Sequence, residues 1–241
     1  MSYRKFSSKI IFLALFLGAV AAHAAVPIAQ VSRLTGSNVA EARTPDGVSR
    51  KLVQGDPVHF GERISTGAGT GMQIDFTDKA RFILGPNSGF EVEKYRQARE
   101  GAEEEAFHSR VFKGGFRFVS GLIAKSKGHK MTVSVSVATI GIRGTHVEGE
   151  VTERQEKNGV TVDASAKVAL LEPEEREQTS IEVSNDFGSV VIDKPGYGTV
   201  IPDEKSPPSP VRKMQLRTIE NIQRALRNST RQGGAARPRM P

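Results

Sequence analysis

The chain has 241 residues, 37% of them hydrophobic, with no Cys and no Trp. That length suits one domain with appendages, and the lack of cysteine excludes disulfides and thiolate metal sites. The formal net charge of +7 is unevenly spread: residues 1–24 hold three Lys/Arg and no acid, residues 205–241 hold nine against Glu220 alone, and residues 25–204 therefore carry −4.

The first segment reads MSYRKFSSKIIFLALFLGAVAAHAA. Arg4, Lys5 and Lys9 precede an apolar run from Ile10 to Ala21, and Ala22-His23-Ala24 is a small-x-small site. This is the anatomy of a secretory signal peptide spanning residues 1–24, with cleavage expected before Ala25. The run falls short of the about 20 apolar residues that a membrane span needs. Export without disulfides fits the periplasm of a bacterial envelope. It also argues against nucleic acid as a partner of the basic C-terminus.

From Val26 to about Val200 short apolar-alternating pieces are punctuated by Gly, Pro and Asn. Met72, Ile74 and Phe76 share a face; the turn Thr77-Asp78-Lys79 follows; then come Phe82 and Leu84, the Pro86-Asn87 turn, and Phe90 and Val92. A charged interruption over residues 98–107 precedes RVFKGGFRFVSGLIAK, where Gly114-Gly115 and Gly121 mark bends. Asn158-Gly159 is a hairpin turn pair, after which Val160, Val162, Ala164, Ala166, Val168 and Leu170 alternate. The spacing predicts an all-β domain over residues 25–203, a sandwich or solenoid of many short strands.

The stretch SVSVATIGIRGTHVEGEV breaks the pattern twice. Val133, Val135 and Val137 are odd-numbered, Ile140 and Ile142 even, and Val147 and Val151 odd again. A one-residue slip turns a strand's side chains to the other face, so the sequence predicts a β-bulge permitted by Gly141 and Gly144. It would re-aim Arg143, which Gly144 and Thr145 follow. The expected role is structural, a partly buried guanidinium paired with a carboxylate; contact with an anionic ligand is the alternative.

At DEKSPPSPVRK the composition changes to a Pro-rich linker. Beyond it Leu216, Ile219, Ile222 and Leu226 recur at helical spacing, so residues 204–241 are expected to form a linker, a basic amphipathic helix and a disordered end. Arg212, Lys213, Arg217, Arg224 and Arg227 are its candidate interaction residues. The tail has three readings: a solvated extension, a tether to an anionic envelope surface, or a segment docked on its own acidic domain.

No constellation of catalytic residues is assembled in the sequence. His23, His59, His108, His129 and His146 lack metal-ligand spacing, and no phosphate loop or GxSxG elbow occurs. EGAEEE and EPEERE lack the spacing of a calcium loop and read as solvated turns. No catalytic residue, cofactor or metal is expected.

Ile142-Arg143-Gly144-Thr145, closing a hydrophobic strand, resembles the most recognisable motif of the FecR-like domain family of bacterial envelope proteins. LVQGDPVHFGERISTGAGTGMQIDFTDKARFILGPNSGFEVEKY, GGFRFVSG and GYGTVIP are also similar to that family, so the resemblance covers about residues 27–202. Its usual Asp-Gly turn is Asp78-Lys79 here. The resemblance implies an all-β fold and an envelope location. The regulator that names the family senses iron-siderophore uptake and controls a sigma factor through a cytoplasmic segment and a membrane span. Here a signal peptide leads almost directly into the first strand, so direct sigma-factor control is not expected. The expected function is a non-catalytic periplasmic binding module for an envelope protein or a glycan such as peptidoglycan, accessory to envelope signalling. A cell-wall hydrolase or lyase, or a direct sensor in a transmembrane signalling complex, are the alternatives.

Overall fold

Period-two alternation turns most of the described residues into strands joined by tight turns. The structure, a computed structural model, describes residues 26–36, 39–96, 105–125, 130–172, 179–214 and 216. The expected signal peptide lies outside them, as do the tail residues Arg217, Arg224 and Arg227.

In chain order the strands begin with β1 (Ala29–Thr35), β2 (Ala40–Arg43), β3 (Ser49–Lys51), β4 (Pro57–Val58), β5 (Arg63–Thr66) and β6 (Gly71–Phe76). Next come β7 (Arg81–Leu84), β8 (Gly89–Arg96), β9 (Ala106–Val119), β10 (Lys130–Val135), β11 (Ala138–Arg143) and β12 (His146–Thr152). The series ends with β13 (Gln155–Lys157), β14 (Val160–Val162), β15 (Ser165–Leu171), β16 (Ser180–Asn185), β17 (Gly188–Ile192), β18 (Tyr197–Ile201) and β19 (Arg212–Lys213). One 3-10 turn, Leu122–Lys125, follows β9.

Two sheets face each other. The first runs β4-β1-β6-β7-β9-β12-β15-β18-β19. The second runs β3-β2-β5-β8-β9-β10-β11-β16-β17. The β9–β10 pair is parallel and the others antiparallel. The all-β domain of many short strands, expected as a sandwich or a solenoid, is observed, as two layers with the chain passing repeatedly from one to the other.

The inner faces are rows of apolar side chains in register. Val31, Ile74, Phe82, Phe118, Val147 and Leu170 cross the first sheet, each fully buried. Ala42, Ile64, Phe90, Val111 and Val135 cross the second. Aromatic rings knit the two together: Phe82 meets Phe90 at 4.1 Å between centroids, and Phe76 meets Phe107 edge-on at 5.0 Å. Edge-on and offset contacts of this kind add about 0.5–1.5 kcal/mol per pair beyond area burial.

One strand belongs to both layers. Residues of β9 up to Lys113 pair with β8 in the second sheet, and those from Gly114 onward pair with β12 in the first. Gly114 makes the corner at φ +88°, and a Cβ there would lie 2.1 Å from Ser88 Oγ. The bend expected at Gly114-Gly115 is this change of sheet.

The double phase change around Arg143 also has a definite cause, and it differs from the expected bulge. The first step is a hairpin: Val135 pairs with Ala138 across the turn Ser136-Val137. The second is a passage between layers, with β11 in the second sheet and β12 in the first, through Gly144 at φ +54°. Side chains change parity because the chain reverses once and crosses the core once.

At Asn158-Gly159 both residues have positive φ, as the hairpin pair predicts. The ribbon β13–β14 stands apart from the two sheets, however, and Val160 and Val162 are exposed; inward burial begins at Ala164. Lys79 takes φ +69° where the resemblance leads one to expect glycine. The turn keeps its form at the cost of a left-handed non-glycine residue.

Candidate functional site

The outer face of the second sheet carries a charged row in register: Arg43, Arg63, Glu91 and Arg110 on β2, β5, β8 and β9. Their neighbours Ala42, Ile64, Phe90 and Val111 point into the core, so the pleat alone sends these four outward. The first three of them border a cleft of about 560 Å³ lined by Arg43, Pro45, Phe60, Arg63, Glu91 and Glu93 among others.

Local turns build its walls. The β2–β3 hairpin is closed by Thr44 N–H to Val48 O at 2.9 Å and Val48 N–H to Thr44 Oγ1 at 3.1 Å. Opposite it, the loop His59-Phe60-Gly61 turns at Gly61 (φ +77°), whose α-carbon side faces Pro45 so closely that a Cβ would sit 3.3 Å from Pro45 Cγ. Both walls are fixed by one carboxylate. Glu62, 4% exposed, accepts from Arg50 Nη2 at 2.9 Å and from His59 N–H at 2.9 Å. Arg50 also donates to Pro57 O at 2.6 Å. The Arg50–Glu62 pair therefore ties β3 to the loop that presents Phe60.

Phe60 is 55% exposed, large enough and open enough to stack against a flat ligand face. Arg63 lies 4.1 Å from the Phe112 ring centroid and 3.4 Å from Glu91 Oε2. Arg110 pairs with Glu93. Arg43 is exposed and makes no ion pair among the described residues. Such a cleft offers one aromatic platform, donors from two guanidiniums and acceptors from two carboxylates. That set suits a hydroxyl-rich chain carrying an occasional carboxylate.

The residues singled out from sequence lie elsewhere. Arg143 ends β11 beside Ser180 on β16 and is exposed, rather than partly buried against a carboxylate. The alternation that buries Ile140 and Ile142 sends Arg143 to the outside. Gly144 supplies the left-handed corner, and Thr145, 1% exposed, opens the first-sheet side, its carbonyl accepting from Ser120 N–H at 3.1 Å. A Cβ at Gly141 would meet Glu182 at ordinary contact distance, 3.8 Å. Arg212 and Lys213 are exposed on β19, paired with Gly198 and Tyr197. None of the cleft residues Arg43, Phe60, Arg63, Glu91 and Glu93 is among the candidate site residues of the sequence. Their signal is the polar half of each alternation, which names no site until strand order is known.

A second polar cluster is a brace. Asp78, 2% exposed, accepts from Ala80 N–H at 3.1 Å and from Tyr95 Oη at 3.2 Å, and Leu122 N–H donates to the Asp78 carbonyl at 2.7 Å. It thus joins the β6–β7 turn, β8 and the 3-10 turn. Burial pushes the Asp78 carboxyl above its ordinary range despite these donors. Burial likewise pushes the Tyr95 phenol up to about 12. No cluster of three or more metal-ligating side chains occurs among the described residues.

Residues 62–168 match the family model described as FecR protein. Two crystal structures of a proposed anti-sigma factor from Parabacteroides distasonis align at 13% identity, with TM-scores of 0.47 and 0.46. The alignment covers 66% of this chain and 62% of that one. No curated protein matches the sequence. The family match opens at the buried Glu62, passes through the Asp78 turn and Ile142-Arg143-Gly144-Thr145, and ends in β15. The stretch that matches the FecR protein model is embedded in a sandwich that the flanking strands complete.

Proposed function

We propose that the protein is a non-catalytic binding module of the bacterial envelope, and that the cleft around Phe60 holds a segment of glycan. One observation carries the choice of ligand: an exposed aromatic ring shares with guanidiniums and carboxylates the lining of a cleft whose walls are preset by the buried Glu62. Sugar rings present an apolar face for stacking and hydroxyls for such donors and acceptors. The preset walls lower the ordering cost of binding. The FecR match and the signal-peptide anatomy support an envelope setting accessory to signalling.

Co-sedimentation of the mature chain with purified peptidoglycan tests this. Salt-resistant binding without released fragments is expected, and Phe60→Ala or Arg43→Ala should weaken it at least tenfold with melting unchanged, since both side chains are exposed. Released fragments would establish the hydrolase or lyase reading instead. Absent binding, with a protein captured from envelope extract through the same variants, would replace the glycan by a protein partner.

A further inference from the structure

The outward face of the first sheet carries its own row in register: Gln73, Ile83, Arg117, Glu148, Ala169 and Gly198, on β6, β7, β9, β12, β15 and β18. The outer positions of a sandwich ordinarily meet water. Here Gln73 is 8%, Ile83 5%, Glu148 4% and Ala169 0% exposed. Ile83 and Ala169 are buried without joining the core between the sheets. This row is covered from outside.

At one end the cover is the C-terminal segment of the chain itself. After β19, at the sheet edge, Met214 Sδ lies 3.0 Å from where a Cβ on Gly198 would stand. Leu216 is 4% exposed, and its N–H donates to Glu148 Oε1 at 3.3 Å. The chain has therefore left the edge and moved inward from β18 to β12, along the row.

We propose that residues 216–226 continue along this row as an amphipathic helix, laying Leu216, Ile219, Ile222 and Leu226 over Arg117, Ile83 and Gln73. The lengths agree. Three strand spacings from Glu148 on β12 to Gln73 on β6 amount to ~14 Å. Ten helical steps from Leu216 to Leu226 rise ~15 Å. On such a helix Arg217 and Arg224 fall opposite the apolar line, so the cover presents cations outward. The occupant of this face is thus the chain's own tail, independently of what the Phe60 cleft binds.

The absence of native cysteine makes the test direct. In the full chain, Ile83→Cys with Ile222→Cys should close an intramolecular disulfide under mild oxidation, while Lys51→Cys with Ile222→Cys, on the exposed edge of the other sheet, should not. The single variant Ile83→Cys should react with a thiol reagent at least tenfold more slowly than the same chain carrying Ile219→Asp and Ile222→Asp. Equal labelling rates, or cross-linking to residue 51 as readily as to residue 83, would overturn the proposal.

Discussion

At the scale of single residues, the most conspicuous motif turns out to mark a path through the fold. Arg143 is exposed beyond two inward isoleucines, so Arg143→Ala should change stability by no more than about 0.5 kcal/mol, as surface substitutions do. A loss of 3 kcal/mol in urea unfolding would restore the buried-pair expectation. The glycines beside it should separate. Gly144 at φ +54° should lose roughly 1–2 kcal/mol on Gly144→Ala, whereas Gly141→Ala has ordinary room and should be close to neutral. Asp78 carries a pH signature. Its carboxyl is raised by burial above 3.8, so the folded chain holds this proton more tightly than the unfolded chain does. Its contribution to stability is then full below pH 3.8 and is lost as pH rises through the folded value. Asp78→Asn removes that proton while leaving the other carboxylates in place. The melting advantage of the native chain over Asp78→Asn should therefore be larger at pH 4 than at pH 7; the reverse order would contradict the sign. The parity break at Arg143 was visible in the sequence, but parity cannot distinguish a bulge from a hairpin followed by a layer crossing. Both shift the count by one.

At the scale of elements, strands and turns were legible where local chemistry sets them. Asn158-Gly159, the Asp78 turn and the Pro86-Asn87 turn each declare themselves through residues that tolerate left-handed backbone or fix φ; Asn87 indeed sits at φ +53°. Sheet membership was not legible, because it depends on pairing between residues far apart in sequence. The β9 strand shows this best. Its buried side chains shift from odd positions, Phe107 and Val111, to even ones, Phe116 and Phe118, across Gly114, but that break does not say which sheet either half joins. The cleft was hidden for the same reason: Arg43, Arg63 and Glu91 come from three separated segments that only cross-strand register brings into line. Gly114 is the element's weak point. A methyl group there meets Ser88 Oγ at 2.1 Å and Ser88 Cα at 2.6 Å on a backbone at φ +88°. Left-handed strain and overpacking together predict a loss of about 2–5 kcal/mol for Gly114→Ala. Unfolding by urea would measure it, and a loss under 1 kcal/mol would mean that the two layers can slide at this corner.

At the scale of the whole molecule, charge and packing point to the same partner for the C-terminal segment. Residues 205–241 carry +8 against −4 on residues 25–204. Charge alone would leave the segment attracted to any anionic surface, its own domain included. The contacts are more specific than charge. In the Pro-rich stretch read as a linker, Ser206 O accepts from Asn185 Nδ2 at 2.8 Å, Ser209 N–H donates to Val200 O at 2.9 Å, and Pro208 is buried. Farther on, Met214 N–H donates to Gly196 O at 2.8 Å and Leu216 is buried against the first sheet. Attraction between exposed charges fades as the Debye length falls from about 10 Å at 0.1 M salt to about 3 Å at 1 M. Apolar burial and backbone hydrogen bonds are not screened in that way. A chain ending at Glu204 should therefore be less stable than the full chain by at least about 3 kcal/mol, taking the buried leucine at 1.5–3 and about 1 for just one of these hydrogen bonds, the others offsetting the cost of ordering the segment. For a domain of this size that is a fall in Tm of roughly 6–12 °C. The fall should be nearly the same at 0.1 and 1 M salt, measured by thermal unfolding with circular dichroism. A fall that vanishes at 1 M would make the attachment electrostatic. No fall at either salt would leave the segment without a structural role and send the search for its purpose back to Arg212, Lys213, Arg217, Arg224 and Arg227 as an anionic-surface contact.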